Sequence, residues 1–322
     1  MLNLTRRKFL ETSSIVAAGL VANTKGFAGA SVPAMKPFPI CIFSKCLQFL
    51  NYNQLGETVA RLGFGGADLS VRKGGHVLPA DVKVNLPKAI KALKKSGVEV
   101  PMMVTDINSA DSPDVEKVLG TASELGITHY RMGYLSYDAG KSIKETLDVH
   151  KRSIEKLEKI NRKFGIHGEY QNHSGNRVGG PVWDIYWMLK DSDPAHIGCQ
   201  YDIRHAVCEG AYSWPTGMKL LAPWIKSTAI KDFYWIKENT KWEIKDVALG
   251  EGMVNFDAYL TEYVKLGING PVSIHCEYDL GGAENGRANP TMSHDEIFAL
   301  IKKDLDWLKN KFKDNAINPG NL

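Results

Sequence analysis

Short apolar segments alternate with longer segments of helical periodicity along most of the chain. Between the apolar segments, hydrophobic residues recur every three or four positions, as in Leu86, Ile90 and Leu93. This spacing is typical of amphipathic helices that cover a sheet. The pattern predicts eight strands, each followed by helical sequence, at residues 40–44, 66–70, 98–104, 128–132, 167–171, 197–202, 227–232 and 272–277.

Several predicted helices run into a glycine just before the next strand. The segments "KKSGVEV", "RKFGIHG" and "VKLGING" place Gly97, Gly165 and Gly267 where helices commonly end. Eight strand–helix units in roughly 290 residues predict a single (β/α)8 TIM barrel over residues 37–312, followed by a loose tail at 313–322. A doubly wound sheet is the alternative, but no Gly-x-Gly-x-x-Gly motif follows the first strand.

The first thirty residues have the pattern of an export signal. Arg6 and Arg7 precede a short apolar run at 15–22, and an Ala-Gly-Ala sequence ends at Ala30. A twin arginine before such a run is typical of the Tat pathway, and the run is too short to span a bilayer. We therefore predict that residues 1–30 are a Tat-type signal peptide and that the mature protein is periplasmic.

The charge balance argues against a polyanionic partner. Removing residues 1–30 takes away four of the 40 basic and one of the 36 acidic side chains, which leaves 36 and 35. A chain so close to neutrality has no electrostatic reason to bind nucleic acid. No later segment has 18 uninterrupted apolar residues, so no membrane partner is expected after signal removal either. A homo-oligomer remains open.

The fifth predicted strand, "HGEYQ", carries polar residues where a core strand is normally apolar. Alternate residues share a face, so His167, Glu169 and Gln171 point one way and Tyr170 the other. The last three predicted strands show the same division. Their polar sets, of which Ala229 is the one apolar member, are Gln200 and Asp202, then Ser227, Ala229 and Lys231, then Ser273, His275 and Glu277. Because the apolar sets must face the helices, the polar sets are predicted to face the lumen.

A polar lumen indicates a functional site. Buried charges without partners cost several kcal/mol each, so these groups must pair, bind a metal ion or face a wet cavity. Chemistry in TIM barrels takes place at the C-terminal mouth, where Asp202 and Glu277 end their strands. His167 and Glu169 lie deeper and are predicted to form a structural polar network.

Five motifs, in order along the chain, resemble those of the xylose isomerase-like TIM-barrel superfamily, also called the sugar phosphate isomerase/epimerase family. They are "GIHGEYQNHSG", "YDIRHA", "IKDF", "ALGEGMVNF" and "PVSIHCEY". The resemblance covers residues 37–312. It implies a barrel whose C-terminal mouth acts on a small carbohydrate.

The resemblance also implies a metal site, but in a degenerate form. In the family, two glutamates, an aspartate and a histidine hold a divalent cation, and the glutamates move protons between adjacent sugar carbons. Asp202 and Glu277 match two ligands, and His205 matches a substrate-contacting histidine, whereas Gln171 and Ala229 replace the first glutamate and the metal histidine. An amide oxygen can ligate a metal but takes no proton near neutral pH. Gln171, Asp202 and Glu277 are therefore the predicted ligands of Mn, Zn, Co or Mg, if any metal is bound.

Several cationic and imidazole groups are predicted to surround these residues. On the family hypothesis Glu277 is the base, and Lys231 and His205 stabilise the enediolate. Such groups can stabilise an enolate even without a metal. The residues predicted to bind the substrate are Lys45, Arg72, His76, Arg131 and His173.

Three functions are compatible with this pattern. The first is a sugar isomerase or epimerase that abstracts a proton next to a carbonyl, with or without a divalent metal. The second is a lyase or hydratase that acts on keto-sugars by β-elimination. The third is a carbohydrate-binding barrel without catalysis, which the missing glutamate and histidine would explain.

Overall fold

Eight parallel strands close a barrel in the computed structural model, which describes residues 38–317. The predicted signal peptide and residues 318–322 lie outside this range. Around the barrel, strands one to seven follow in chain order and β10 closes the ring between β7 and β1. The strands are β1 (Ile40–Phe43), β2 (Gly66–Ser70), β3 (Glu99–Val104), β4 (His129–Arg131), β5 (His167–Glu169), β6 (Ile197–Asp202), β7 (Ile225–Ile230), β8 (Asp232–Glu238), β9 (Lys241–Val247) and β10 (Val272–Ile274).

Helices follow the barrel strands and cover the outside of the ring, as a TIM barrel requires. Within the described residues they are α1 (Tyr52–Leu62), α2 (Val82–Lys95), α3 (Val115–Glu124), α4 (Ile143–Phe164), α5 (Val182–Leu189), α6 (Ile203–Gly210), α7 (Trp214–Leu221), α8 (Phe256–Lys265) and α9 (His294–Asp314). The predicted fold is confirmed. None of these helices is long and apolar enough to cross a lipid bilayer.

The helix ends follow local sequence signals. Gly97, Gly165 and Gly267 adopt φ values of 77°, 62° and 63° just beyond α2, α4 and α8, as predicted for glycines that end helices. The starts of α1, α4 and α9 are fixed by reciprocal side-chain and backbone hydrogen bonds, made by the pairs Asn51 and Gln54, Ser142 and Glu145, and Ser293 and Glu296. Helix α9 extends two residues past the predicted end of the barrel at residue 312.

Polar side chains face the lumen and bond across it, as the alternation predicts. Ser227 of β7 donates a hydrogen bond to Glu169 of β5, and Ser273 Oγ of β10 donates to Asp68 Oδ2 of β2 at 2.9 Å. The alternate tyrosines point the other way. The hydroxyl of Tyr130 donates to Asn161 Oδ1 in α4 at 2.9 Å. These lumen bonds satisfy polar groups that would otherwise be buried without partners.

The antiparallel pair β8 and β9 is a feature that the sequence analysis does not predict. Strand β8 begins only one residue after β7 ends, and the pair runs in register from Asp232 with Val247 to Glu238 with Lys241. It lies at the C-terminal side of the barrel, between Lys231 and α8 in sequence. Its side chains become exposed away from the barrel, and Trp242 is 63% exposed.

Candidate functional site

Four of the predicted residues meet at the C-terminal mouth, and we call Gln171, Asp202, Lys231 and Glu277 the mouth cluster. Each lies at or just beyond the end of an inward-facing strand: Gln171 after β5, Asp202 at the end of β6, Lys231 after β7 and Glu277 after β10. Because these strands are parallel, their C-terminal ends converge at one rim. Asp202 also begins α6, where its Oδ1 accepts the backbone N–H of His205 at 3.1 Å.

The Lys231 ammonium joins the two carboxylates of the mouth cluster. Its Nζ lies 2.8 Å from Glu277 Oε2 and 3.3 Å from Asp202 Oδ2, and Lys231 is 3% exposed. Lys45 Nζ contacts the other oxygen of Glu277 at 3.3 Å. Although burial alone would raise the pKa of Glu277, Lys231 and Lys45 hold that pKa well below its usual value. Burial lowers the pKa of Lys231, but the two carboxylates outweigh it and raise the pKa overall.

The amide of Gln171 has a fixed orientation. Its Oε1 accepts hydrogen bonds from Arg131 Nη1 at 3.0 Å and from the Tyr134 hydroxyl at 2.7 Å. A guanidinium can only donate, so the oxygen must face Arg131. The amide nitrogen therefore faces Asp202 and donates to its Oδ2 at 2.9 Å. Gln171 thus acts as a donor to Asp202 and offers no free oxygen.

The tautomer of His205 is fixed by Arg204. Arg204 Nη1 lies 2.9 Å from His205 Nδ1, and the Ser174 hydroxyl lies 2.8 Å from the same nitrogen. Because Arg204 only donates, Nδ1 accepts, and the neutral ring carries its proton on Nε2. That nitrogen is buried, 3.7 Å from Asp202 Oδ2. Burial and, next, Lys231 hold the pKa of His205 well below its ordinary value.

His173 stacks against His205 with its ring 3.9 Å away. Its Nδ1 lies 2.8 Å from the carbonyl oxygen of Ser174, so this nitrogen carries the proton and donates. Its Nε2 keeps a lone pair. Burial, followed by Lys231, lowers the pKa of His173 to about 4. His173 is therefore a neutral hydrogen-bond acceptor next to the mouth cluster at neutral pH.

Three of the predicted substrate-binding cations surround one aromatic ring. The ring of Phe43, which ends β1, lies 5.7 Å from Lys45 Nζ and 5.5 and 5.6 Å from the guanidinium carbons of Arg72 and Arg131. Cations are attracted to the face of an aromatic ring at such distances. Burial and, next, Arg131 lower the pKa of Arg72. Phe43 thus holds a positively charged rim beside Glu277.

His76 has no ring nitrogen free for a substrate. Its Nε2 donates to the carbonyl oxygen of Leu47 at 3.2 Å, and its Nδ1 lies 3.1 Å from the Ser70 hydroxyl. Burial lowers its pKa to about 4, so the ring is neutral. His76 therefore connects the loop after β2 to the segment after β1. Although it is one of the predicted substrate-binding residues, its ring makes no contact with the mouth cluster.

The arrangement does not fit a divalent cation in the mouth cluster. The oxygens of Asp202 and Glu277 that a metal would use already accept hydrogen bonds from Gln171 and Lys231. Ala229 offers no donor atom, and the protonated Nε2 of His205 cannot ligate. A metal site also needs carboxylates without a cation between them, whereas Lys231 occupies that position. The predicted metal ligands are thus brought together, but around an ammonium group.

Several residues of the site are missed by the sequence reasoning. Tyr134 bonds Gln171 and packs its ring edge-on against His173 at 4.8 Å, and Arg204 pairs with Asp246 of β9. The aromatic residue in "RMGYL" directly after the fourth predicted strand is a signal for Tyr134. Arg204 lies within the "YDIRHA" motif, but its partner on β9 has no sequence signal because the hairpin is not predicted.

Asp232 connects two of the motifs on which the resemblance rests. Its carboxylate accepts the backbone N–H groups of Phe233 at 2.8 Å, Gly250 at 3.1 Å, Gly252 at 2.9 Å and Val254 at 3.2 Å. The aspartate of "IKDF" therefore folds the loop "ALGEGMVNF" onto the end of β7. Because Asp232 follows Lys231 directly, this anchor also fixes the backbone from which Lys231 extends.

Comparisons with known proteins agree with this fold. Among solved structures, an L-ribulose 3-epimerase superposes with a TM-score of 0.66 at 15% identity, over 87% of this chain and 96% of that one. The probable 3-DHS dehydratase AsbF from Bacillus anthracis gives 0.61 at 14%, over 84% and 98%. The 3-keto-D-glucoside 4-epimerase YcjR from E. coli gives 0.60 at 13%, over 81% and 94%. At these identities the likeness concerns the fold alone.

The sequence itself assigns the family. No curated protein matches the sequence. The sequence profile of the xylose isomerase-like TIM barrel family, in contrast, matches residues 57–311, which is most of the chain. Together with the closed eight-stranded barrel and its five motifs, this match shows that the chain belongs to the xylose isomerase-like TIM barrel family.

Proposed function

We propose that this chain is a sugar-modifying enzyme of the isomerase type, which removes a proton next to a carbonyl and uses lysine side chains where the family pattern implies a divalent cation. The position of the Glu277 carboxylate carries the proposal. Its carboxylate is 25% exposed at the mouth and is held between Lys231 and Lys45. A positioned carboxylate next to an exposed cation is the minimum that proton abstraction α to a carbonyl requires.

The roles of the two lysines follow from their exposure. Lys45 is 21% exposed and can contact a sugar oxygen directly, whereas Lys231 is buried between Asp202 and Glu277. On this proposal Lys45 stabilises the negative oxygen of the enediolate, and Arg72 on the same rim binds substrate hydroxyls. Lys231 acts through Glu277, which it keeps ionised and correctly placed. Stabilisation of the enediolate by His205 stays a prediction. Its Nε2 is buried against Asp202 and would have to turn towards the mouth to contact a sugar.

A single base favours isomerisation over two-base epimerisation. Glu277 can take the proton from one carbon and return it to the adjacent carbon on the same face of the enediolate, while the hydroxyl proton passes to the former carbonyl oxygen. Inversion with two bases needs a second proton acceptor opposite the first. Gln171, at the position of the family's other glutamate, is an amide donor to Asp202 and cannot serve.

Elimination from a keto-sugar is the second candidate, and the same observation at Gln171 favours it. One carboxylate suffices to remove the α-proton, and a cationic rim can assist departure of a β-hydroxyl group. A dehydratase is among the proteins of similar fold. The two candidates share Glu277 and differ only in whether the intermediate is reprotonated or loses a leaving group.

The test is proton exchange in deuterated water. The mature protein is incubated, with chelator present, with unphosphorylated aldoses, ketoses and keto-sugars, and NMR follows deuterium at carbons next to the carbonyl. Glu277→Gln should reduce exchange by at least 100-fold while sugar binding, measured by calorimetry, is retained. Glu251→Gln, a surface carboxylate paired with Lys303, is the matched control and should not change the rate.

The outcomes separate the functions. Exchange with a product of unchanged formula supports isomerisation, and exchange with loss of water supports elimination. Sugar binding without exchange in the wild-type protein would make the chain a binding barrel and overturn the proposal. Activity that is abolished by chelator and restored by Mn²⁺ or Mg²⁺ would overturn the metal-independent part.

We further propose that the reaction takes place in the periplasm. The twin arginine at Arg6 and Arg7 supports this, and residues 1–30 lie outside the described part of the structure. Replacing both arginines with lysine should keep the full-length chain in the cytoplasm of the producing bacterium, as detected by fractionation and mass spectrometry of the N-terminus. Unchanged export of the double-lysine chain would contradict Tat targeting.

A further inference from the structure

A second cluster of metal-ligating side chains lies at the opposite, N-terminal end of the barrel, and we call His129, His167 and Glu169 the basal cluster. His129 begins β4, His167 begins β5, and the two residues pair across the sheet. Both imidazoles are thereby placed on the same side of the sheet as Glu169, two residues further along β5. One ligand atom from each residue lies within 4.8 Å of the other two.

His167 lies between two hydrogen-bond acceptors. Its Nε2 lies 3.2 Å from the carbonyl oxygen of Pro194, which can only accept. Its Nδ1 lies 3.2 Å from Glu169 Oε1, and an ionised carboxylate can only accept as well. A neutral ring has one proton for these two acceptors, so when Nε2–H bonds Pro194 the contact between Nδ1 and Oε1 has no hydrogen atom and a cation there would complete it.

His129 approaches the same carboxylate oxygen from β4. Its Nδ1 lies 2.8 Å from Thr128 Oγ1, and that hydroxyl donates its own proton to the carbonyl oxygen of Pro101 at 3.2 Å. With the hydroxyl proton on the side of Pro101, Thr128 accepts from Nδ1–H. The lone pair on Nε2 remains free and lies 3.9 Å from the same oxygen, Glu169 Oε1.

One atom of each residue thus lies near the others, and Glu169 Oε1 is common to the contacts with both imidazoles. The Ser227 hydroxyl donates to the other oxygen of Glu169, so that carboxylate is held in place. His167 and Glu169 are 6% and 1% exposed. Two neutral imidazoles and one buried carboxylate together carry a negative charge, which a bound cation would compensate.

We propose that the basal cluster is a binding site for a first-row transition metal ion, with Zn²⁺ as the best match. Two imidazole nitrogens and one carboxylate oxygen are typical zinc ligands, and partners that orient the imidazoles are typical of zinc sites. Tetrahedral zinc with bonds of 2.0–2.1 Å places its ligand atoms about 3.3 Å apart. The separations from Glu169 Oε1 are 3.2 and 3.9 Å, and the two imidazole nitrogens lie within 4.8 Å of each other, so the histidine side chains would have to move closer together to bind the ion.

The surroundings leave room for a fourth ligand. His129 and His167 line an open cavity of about 500 Å³, which His196 and Lys226 also line. Water can occupy the remaining position from this side. Because the site lies at the N-terminal end of the barrel, far from the chemistry expected at the mouth, the ion would join β4 to β5 and stabilise the fold. This inference is independent of the proposed function.

The experiment uses the mature chain stripped with chelator and dialysed. Co²⁺ serves as the spectroscopic probe, because tetrahedral Co²⁺ absorbs in the visible range, and Zn²⁺ should displace it while Mg²⁺ should not. We expect one equivalent of Co²⁺ to bind and the melting temperature to rise with Zn²⁺ concentration. His129→Ala should weaken Co²⁺ binding at least 100-fold; its side chain is 22% exposed, so the fold should tolerate the change.

Three further variants make the result specific. Glu169→Gln keeps the shape of the side chain and should also weaken binding, which covers the case of a poorly folded His129→Ala chain. His150→Ala, on the outer helix α4, is the matched histidine control and should leave binding intact. Asp202→Ala removes a carboxylate of the mouth cluster and should leave binding intact as well.

The possible results separate this site from the mouth. One equivalent that is lost in His129→Ala and Glu169→Gln but kept in Asp202→Ala supports the proposal. Loss in Asp202→Ala with retention in His129→Ala would place the metal at the mouth and overturn it. Binding of Co²⁺ no stronger in the wild-type protein than in His129→Ala would also overturn it and would indicate a protonated His167 paired with Glu169.

Discussion

At the scale of single residues, Lys231 determines the character of the mouth. Its ammonium lies within 3.3 Å of both Asp202 and Glu277, so these carboxylates are neutralised by a side chain. An ion pair held in a buried site is sensitive to loss of one partner, because the remaining charge is left without compensation. The effect of removing the lysine should therefore exceed that of removing a surface lysine by a wide margin.

We expect Lys231→Met to lower the free energy of unfolding by about 3–5 kcal/mol, the usual cost of breaking a buried pair. It should also shift the acidic limb of the pH–activity profile upwards, since Lys231 lowers the pKa of Glu277. Urea denaturation and the pH profile of proton exchange measure the two effects.

The matched control is Lys219→Met, which removes an exposed lysine paired with Glu262 and should cost less than about 1 kcal/mol. Adding Asp202→Asn to Lys231→Met should recover part of the lost stability, because one uncompensated carboxylate disappears. A Lys231→Met protein as stable as the control would show that the two carboxylates do not depend on this lysine.

Replacement of His76 distinguishes a substrate-binding role of this residue from a structural one. Both of its ring nitrogens are bonded within the protein, to Ser70 and Leu47. We expect His76→Ala to destabilise the protein by about 1–3 kcal/mol, as loss of buried hydrogen bonds does, with sugar affinity changed less than twofold. A large loss of affinity in a chain of unchanged stability would restore the sequence-based prediction of substrate binding.

The residues of the mouth cluster could be foreseen because strand alternation and strand ends are local properties. Asp202, Lys231 and Glu277 each follow from a strand whose inner face is polar. Their mutual pairing could not be foreseen, since a sequence shows neither the direction of the Gln171 amide nor the distance between side chains on different strands. Phe43 was missed for the same reason: an aromatic residue at a strand end is usually core, and only its position among three cations gives it a role.

At the scale of elements, Asp232 organises the connection between β7 and α8. One carboxylate accepts four backbone N–H groups, three of which belong to the loop around Gly250 and Gly252. We expect Asp232→Ala to destabilise the protein by about 2–4 kcal/mol, because several buried donors lose their acceptor. Hydrogen exchange should show lost protection at residues 250–254.

The neighbouring carboxylate Asp257 provides the control for that measurement. It is exposed and pairs with Lys311 on the surface, so Asp257→Ala should change stability by less than about 1 kcal/mol and leave the loop protected. Unaltered protection at residues 250–254 in Asp232→Ala would mean that the loop is held by other contacts.

The hairpin β8–β9 shows where element prediction fails. Residues 232–247 begin one residue after a barrel strand, so the hydrophobic pattern offers no boundary between β7 and β8. The helix ends at Gly97, Gly165 and Gly267, in contrast, were predictable because left-handed backbone at a helix end favours glycine whatever the tertiary context. Signals that depend on one residue's conformation are readable, whereas signals that depend on partner strands are not.

At the scale of the whole molecule, the polar lumen connects the two ends of the barrel. The same alternation that places Gln171 and Asp202 at the mouth places His167 and Glu169 at the base. From the sequence, His167 and Glu169 are predicted to form a structural polar network, and a structural metal ion is compatible with that prediction. The fold tolerates this polar column because its members bond to one another across the lumen, from Ser227 with Glu169 to Ser273 with Asp68.

This polar interior makes stability depend on pH. Burial lowers the pKa values of His76, His173 and His275 to about 4, whereas an unfolded histidine titrates near 6.5. A lowered histidine pKa stabilises the folded state above pH 6.5, and this contribution is lost as the pH falls towards 4 because the unfolded chain takes up protons first. Glu277, whose pKa is also lowered, loses its contribution only below its usual value of 4.5.

Between pH 7 and pH 5 the loss of stability should therefore come from the histidines, at about 2 kcal/mol each. His275 allows a direct check. Its ring centroid lies 4.8 Å from that of Phe43, and its Nε2 lies 3.8 Å from Asp68 Oδ2. Lys231, Glu277 and Asp68 are the charged groups that act on it, and within residues 38–317 neither ring nitrogen has a closer hydrogen-bond partner. We expect His275→Phe to keep the stacking and to reduce the loss of unfolding free energy between these pH values by about 2 kcal/mol, as measured by urea denaturation. Equal pH dependence in His275→Phe and the wild-type protein would show that His275 is not held neutral by the fold.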